Sequence, residues 1–199
     1  MKEISYACRD ERFLLLIPHM DSGIVVSMNR ACAKEADTMD PTEIKLVPMT
    51  EEMYRSYARE YENDPDLYLP EQAYTHYVYS EERVEQYLKR QQDLHRIMLA
   101  IMRGDEIVGE IIIKDIKKGE SATMGLALKN AKYKDQGIGT AAERLAIRYV
   151  FDELDIPTLF ADTIQTNTRS QHVLEKVGFV FIREDKDFKY YRIDRNSAK

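Results

Sequence analysis

Two glycines two residues apart, in Tyr133-Lys-Asp-Gln-Gly-Ile-Gly-Thr140, stand at the head of a periodic segment. Apolar residues recur at Ile138, Ala142, Leu145, Ala146, Tyr149 and Val150, the spacing of one helix face. A glycine turn that opens a helix leaves several amide N–H groups without carbonyl partners, and the helix dipole adds partial positive charge there. Such a turn suits a phosphate or pyrophosphate, and glycine lets the ligand come close to the backbone. Gly137-x-Gly139-x-x-Ala142 also satisfies the dinucleotide-binding fingerprint. That fingerprint should follow directly from a buried strand in a domain of repeated β-α-β units. Here a polar stretch, 129–136, precedes the glycines and a single such unit is visible, which disfavours a dinucleotide enzyme. A tight helix start that binds nothing is the plainer alternative.

Other residues offer acid–base chemistry. Glu110 lies inside the apolar run Val108-Gly-Glu-Ile-Ile, where burial would raise its pKa towards a useful range. Strict strand alternation would equally turn it to solvent. His76 and His172 are further candidate bases, and ordered water is another. Residues 51–82 carry Tyr54, Tyr57, Tyr61, Tyr68, Tyr74, Tyr77 and Tyr79, over half of the chain's 13 tyrosines. Glu60, Glu62, Asp64, Asp66 and Glu71 accompany them, against only Arg55 and Arg59. Aromatic faces and carboxylates both favour a cation. A solvated acidic face over core tyrosines is the competing reading.

The elements that must position these groups follow from periodicity and turn residues. Ile44 to Val47 reads as a strand and Met49 to Glu62 as a helix introduced by Thr50. Ser80 to Asp93 reads as a second helix with Ser80 as its N-cap. Ile97 to Arg103 and Glu106 to Lys114 form a hairpin about Gly104-Asp105, and Ala122 to Leu128 is the next strand. Gly137 to Leu154 is a helix, Thr158 to Ile164 a strand, and Asn167 to Val177 a helix closed by Gly178. Phe179 to Ile182 and Lys189 to Ile193 finish as a hairpin. The fold class is therefore α+β, with one sheet. Residues 1–42 read as an extension, with short strands at Phe13 to Ile17 and Ile24 to Ser27 about a turn, then a polar linker from Lys34 to Thr42.

With 199 residues the chain is sized for one domain plus an extension, and its formal charge of −6 argues against nucleic acid as a partner. No apolar run approaches the length of a membrane span. Two cysteines, Cys8 and Cys32, lack metal-ligand spacing, so no metal is expected and a reduced, cytoplasmic setting is the reading.

The loop and the segment Asn167-Thr-Arg-Ser170-Gln-His-Val-Leu-Glu-Lys-Val-Gly178-Phe179 together resemble the GNAT N-acetyltransferase superfamily, in particular its RimJ/RimL branch. The family loop reads Gln/Arg-x-x-Gly-x-Gly/Ala, with Lys134 here in the first slot. Resemblance covers about residues 43–194, so 43–199 is expected to be the acetyltransferase domain. It implies a largely antiparallel central sheet with helices on both faces. It also implies acetyl-CoA as co-substrate in a cleft between the strands 122–128 and 158–164. The pantetheine arm would pair with backbone at Leu126, Ala127 and Leu128. The pyrophosphate would rest on the amides of Gln136, Gly137, Ile138, Gly139 and Thr140, assisted by Lys134. Asn167 and Ser170 would approach the arm and the thioester sulfur. Many relatives place a tyrosine donor where this chain has Leu174, and a glutamate base where it has Thr123. Ser170 and Glu110 are accordingly the expected donor and base. The implied reaction is direct attack of an amine on the thioester, the acceptor being a cationic small molecule or a peptide N-terminus. A homodimer is common in that branch. A non-catalytic acyl-CoA sensor on the same fold is the alternative.

Overall fold

The computed structural model describes residues 2–5, 24–27, 44–65, 68–69 and 74–197. The elements run β1 (Lys2–Ser5), β2 (Ile24–Ser27), β3 (Ile44–Pro48), α1 (Glu51–Arg59), α2 (Glu81–Asp93), β4 (Ile97–Arg103), β5 (Glu106–Lys117) and β6 (Ser121–Leu128). They continue with α3 (Ile138–Arg148), β7 (Thr158–Ile164), α4 (Thr168–Lys176), β8 (Val180–Glu184) and β9 (Phe188–Asp194). All the strands join one sheet in the order β1-β2-β3-β4-β5-β6-β7-β9-β8. Only β1 with β2 and β6 with β7 pair in parallel; every other neighbour is antiparallel. The mixed, mainly antiparallel sheet of the expected fold class is present.

Local sequence explains the helix starts. The Thr50 hydroxyl accepts from the Met53 amide at 3.2 Å, and the Ser80 hydroxyl from the Arg83 amide at 3.2 Å. Each satisfies one of the orphan donors of a first helical turn. α1 ends at Arg59, before the expected Glu62, because the Glu62 amide donates to the Lys129 carbonyl at 2.9 Å instead. That bond ties the end of α1 to the end of β6. α3 passes after Arg148 into a single π-helical turn, Tyr149–Glu153, which carries the helix almost to the expected Leu154. β2 falls where expected, but its partners are β1 and β3, so the extension adds strands to the main sheet. The expected strand at 13–17, its turn and the 34–42 linker lie outside the described residues.

Helices cover both faces. α3 and α4 pack on one face over Leu46, Ile101, Ile111, Ile113 and Leu159, all fully buried. α1 and α2 cover the other through Tyr54, Tyr57, Ala58 and Val84, against Met98 and Ile107. Removing each such side chain from water contributes about 1.5–3 kcal/mol. The central strands therefore have no solvent face, so alternation along them separates two cores. A bulge between Ile101 and Met102 lets Gly109 approach closely. A Cβ at Gly109 would lie 2.6 Å from the Ala127 carbonyl oxygen.

Candidate active site

The site arises where two strands part. β6 and β7 pair from Ser121 opposite Thr158 to Met124 opposite Ala161, and there the ladder stops. β6 continues against β5, with Ala127 opposite Glu110 and Leu128 opposite Gly109. From Gly125 onward its β7-facing edge has no strand beside it. Backbone donors and acceptors on such an edge require a partner. A cleft of about 240 Å³ opens there, bordered by Leu126, Ala127 and Leu128 and by Lys134 and Gly139 of the loop. Asn167 and Ser170 of the α4 start border it as well.

The loop reaches α3 through two left-handed residues, Asp135 (φ 57°) and Gly137 (φ 74°). Alternation of this kind turns successive N–H groups inward to form an anion-binding concavity. Gly137 is the N-cap and has no side chain to close the first turn. Ile138 is fully buried in the core, and Gln136 accepts from the Arg103 guanidinium at 2.8 Å. Of the loop residues expected to carry the pyrophosphate, Gly139 and Lys134 line the cleft, whereas Gln136, Gly137, Ile138 and Thr140 do not. At Gly139 an added Cβ would meet nothing within 4 Å. Lys134 forms an ion pair with Asp64, which also borders the cleft. Asn167 serves its own helix, its Oδ1 accepting from the Ser170 amide at 3.0 Å.

Glu110 is buried, which decides between the two readings of its strand: α1 and α2 cover the face that alternation would have given to water. The Tyr87 hydroxyl lies 3.2 Å from each carboxylate oxygen. Burial pushes the Glu110 carboxyl up to about 7, opposed by that hydrogen bond. Tyr54 stacks on Tyr87 with centroids 4.7 Å apart, and burial followed by the Glu110 charge raises both phenols. Glu110 does not itself border the cleft. Its register partner Ala127 does, and directly opposed residues point to the same face.

Of the acidic group, Glu62 and Asp64 border the cleft, Glu60 bonds Lys129 at 2.8 Å, and Asp66 and Glu71 lie outside the described residues. Tyr54 and Tyr57 are core residues, as the competing reading had it, while Tyr74 is exposed. Neither His76 nor His172 borders the cleft, and the Tyr74 hydroxyl lies 3.2 Å from His76 Nδ1. One cleft residue escaped sequence reasoning. Glu143 of α3 is buried, borders the cleft, and is pushed up to about 8 by burial alone. Its position four residues after Gly139, on the same helix face, is the signal that would have found it. Among the described residues, no three His, Cys, Asp or Glu are grouped to hold a metal, and no helix is long and apolar enough to cross a membrane.

Residues 43–180 match the acetyltransferase (GNAT) domain pattern. The acetyltransferase PseH of Campylobacter jejuni is 26% identical over 125 residues, 63% of this chain and 77% of that protein. Its crystal structure in complex with acetyl coenzyme A superposes with a TM-score of 0.52 at 27% identity, covering 57% of this chain and 79% of that one. Two further structures share the fold. Spermidine N-acetyltransferase from Vibrio cholerae, in complex with CoA and spermine, has a TM-score of 0.65 at 16% identity, covering 78% of this chain and 98% of that one. Ribosomal-protein-S5-alanine acetyltransferase from Vibrio fischeri has a TM-score of 0.63 at 17% identity, covering 83% of this chain and 100% of that one.

Proposed function

The chain belongs to the GNAT acetyltransferase family, and from that premise we propose that it transfers an acetyl group from acetyl-CoA to a primary amine within a ternary complex. The observation that carries this reading is the parting of β6 from β7 beside the uncapped start of α3. An open strand edge matches the amides of a pantetheine arm, and the helix N-terminus matches its pyrophosphate. PseH, the relative whose structure holds acetyl coenzyme A, supports the choice of cofactor.

In this reading the arm pairs with Leu126, Ala127 and Leu128. The pyrophosphate lies on the amides from Gln136 to Thr140, with Lys134 turning to it from Asp64. The amine nitrogen attacks the thioester carbonyl, and the C–S bond breaks as the amide forms. An alkylammonium with a pKa of about 10.4 is neutral in roughly one part in 2,500 at pH 7, so its proton needs an acceptor. Glu110 is that base, reached past Ala127 or through the Tyr87 hydroxyl. Ser170 donates to the departing thiolate. Glu62 and Asp64 at the cleft favour a cationic acceptor, a small polyamine-like molecule or a peptide N-terminus, as expected of a RimJ/RimL-like enzyme. We assign 43–199 to the catalytic domain and 1–42 to an extension, place the protein in the cytoplasm, and take the homodimer as its assembly.

The test is thiol release from acetyl-CoA across polyamines, aminoglycosides, amino acids and short peptides. Release with one amine class, lost in Glu110→Gln, is the expected result. Silence across the panel from protein that binds acetyl-CoA would favour the sensor reading, for which the apolar Leu174 at the cleft is the supporting feature.

A further inference from the structure

Glu143 has no part in the chemistry above, yet two observations direct it to a ligand. It shares a helix face with Gly139, and both border the cleft. Its side chain is buried, and its Oε2 has no hydrogen-bond partner in the protein. A buried polar atom left unbonded costs about 1–3 kcal/mol. The fold gains nothing from a carboxyl here, because Ala142, Leu145 and Ala146 beside it make an apolar stripe that leucine would extend. The nearby cleft walls at Met124, Ala161 and Leu174 offer no side-chain donor or acceptor.

We propose that Glu143 is a binding residue for the cofactor arm, its neutral carboxyl donating a hydrogen bond from the floor of the cleft to an amide carbonyl of pantetheine. The proposal rests on the acetyl-CoA reading. The arm is uncharged and carries two amides, so a neutral donor suits it. A carboxylate there would lose the donor and add a buried negative charge beside a polyanionic ligand. Burial alone holds the group neutral up to about pH 8. The elements packed on α3 carry other charges: Lys45 on β3, none on β6, Asp152 and Glu153 on the π-helical turn, and Arg169, His172, Glu175 and Lys176 on α4. Glu62, Asp64, Lys134 and Asp162 complete the charged rim of the cleft with Arg169. None of these contributes to the Glu143 shift.

Binding that requires the protonated form takes up a proton as pH rises through the free pKa. Affinity for acetyl-CoA should then fall about tenfold for each pH unit above about 8. The test is titration calorimetry of the full chain with acetyl-CoA between pH 6.5 and 9.5, in buffers of different ionisation heat. The expected results are a Kd at pH 9 about tenfold weaker than at pH 7 and uptake of about half a proton near pH 8. Glu143→Gln keeps a donor without titrating, so it should bind within a few-fold of the parent at pH 7 and lose the slope. A slope retained in that variant overturns the proposal, since another group then titrates. Should the variant not fold, the proton count of the parent chain decides, and no uptake near pH 8 overturns it. Failure of the parent to bind acetyl-CoA at any pH removes the reading itself, a distinct outcome.

Discussion

Two buried carboxylates flank the place where β6 leaves β7, one on each face of the sheet. Glu110, on the α1 and α2 side, lies among tyrosines and receives the Tyr87 hydroxyl. Glu143, on the α3 side, is one of the residues lining the cleft, and its buried Oε2 has no hydrogen-bond partner in the protein. Burial raises both, Glu110 to about 7 and Glu143 to about 8. The difference lies in the partner. A hydroxyl that donates to the charged form favours ionisation and holds Glu110 near neutrality, where a base both exists and accepts a proton. Nothing assists the ionised form of Glu143, so burial alone sets its raised value. On the proposed reading, one residue type takes opposite roles on opposite faces of one sheet.

The largest expected effect lies on the Glu110 side. Glu110→Gln should lower kcat by about 10²–10⁴-fold, the usual worth of a general base, without changing the Kd of acetyl-CoA. In the parent chain kcat/KM should rise with pH through about 7, since the ionised form is the base. Equal losses of rate and cofactor affinity would break the division of roles. On the cleft side, Gly139→Val adds bulk towards open space, so the melting temperature of the free protein should stay while binding fails. Stabilisation by acetyl-CoA at 100 times its Kd, about 2.7 kcal/mol in the parent, should vanish; a preserved shift would show that the cofactor lies elsewhere.

Glu143→Gln sharpens the comparison through stability. The folded-state pKa of this acid is raised, so the native chain holds a proton that the unfolded chain releases above about 4.5. Stability is then lost as pH rises from there towards about 8. The glutamine variant should escape that loss and gain roughly 3–4 kcal/mol over the parent between pH 5 and pH 8, read from thermal melts at both. A gain equal at both pH values would mean that Glu143 does not titrate. The smallest effect is expected at Asn167, whose side chain closes the first turn of α4 as no side chain does for α3. Asn167→Ala should cost about 1 kcal/mol as a lost cap. A larger fall in acetyl-CoA affinity than in stability would give Asn167 a share in binding as well.

Much of this was legible in the chain. Capping residues, turn glycines and apolar spacing located Thr50, Ser80, Gly137 and the strand Thr158–Ile164, because these signals act within a few residues. The cleft was legible only through resemblance, since no local rule states that β6 and β7 part after Met124. The face of Glu110 was undecidable from alternation, which assumes that one side of a strand is wet. α1 and α2 remove that water from well outside the strand, the Tyr87 hydroxyl reaching Glu110 across 23 positions. Glu143 was overlooked because its helix is apolar enough to dominate the periodic signal. What the sequence determined by itself was the identity and order of the elements and the backbone chemistry of the loop, which depend on neighbours in the chain. What only the tertiary structure decided was which carboxylates lose their water, because desolvation is set by the surfaces that close over a group.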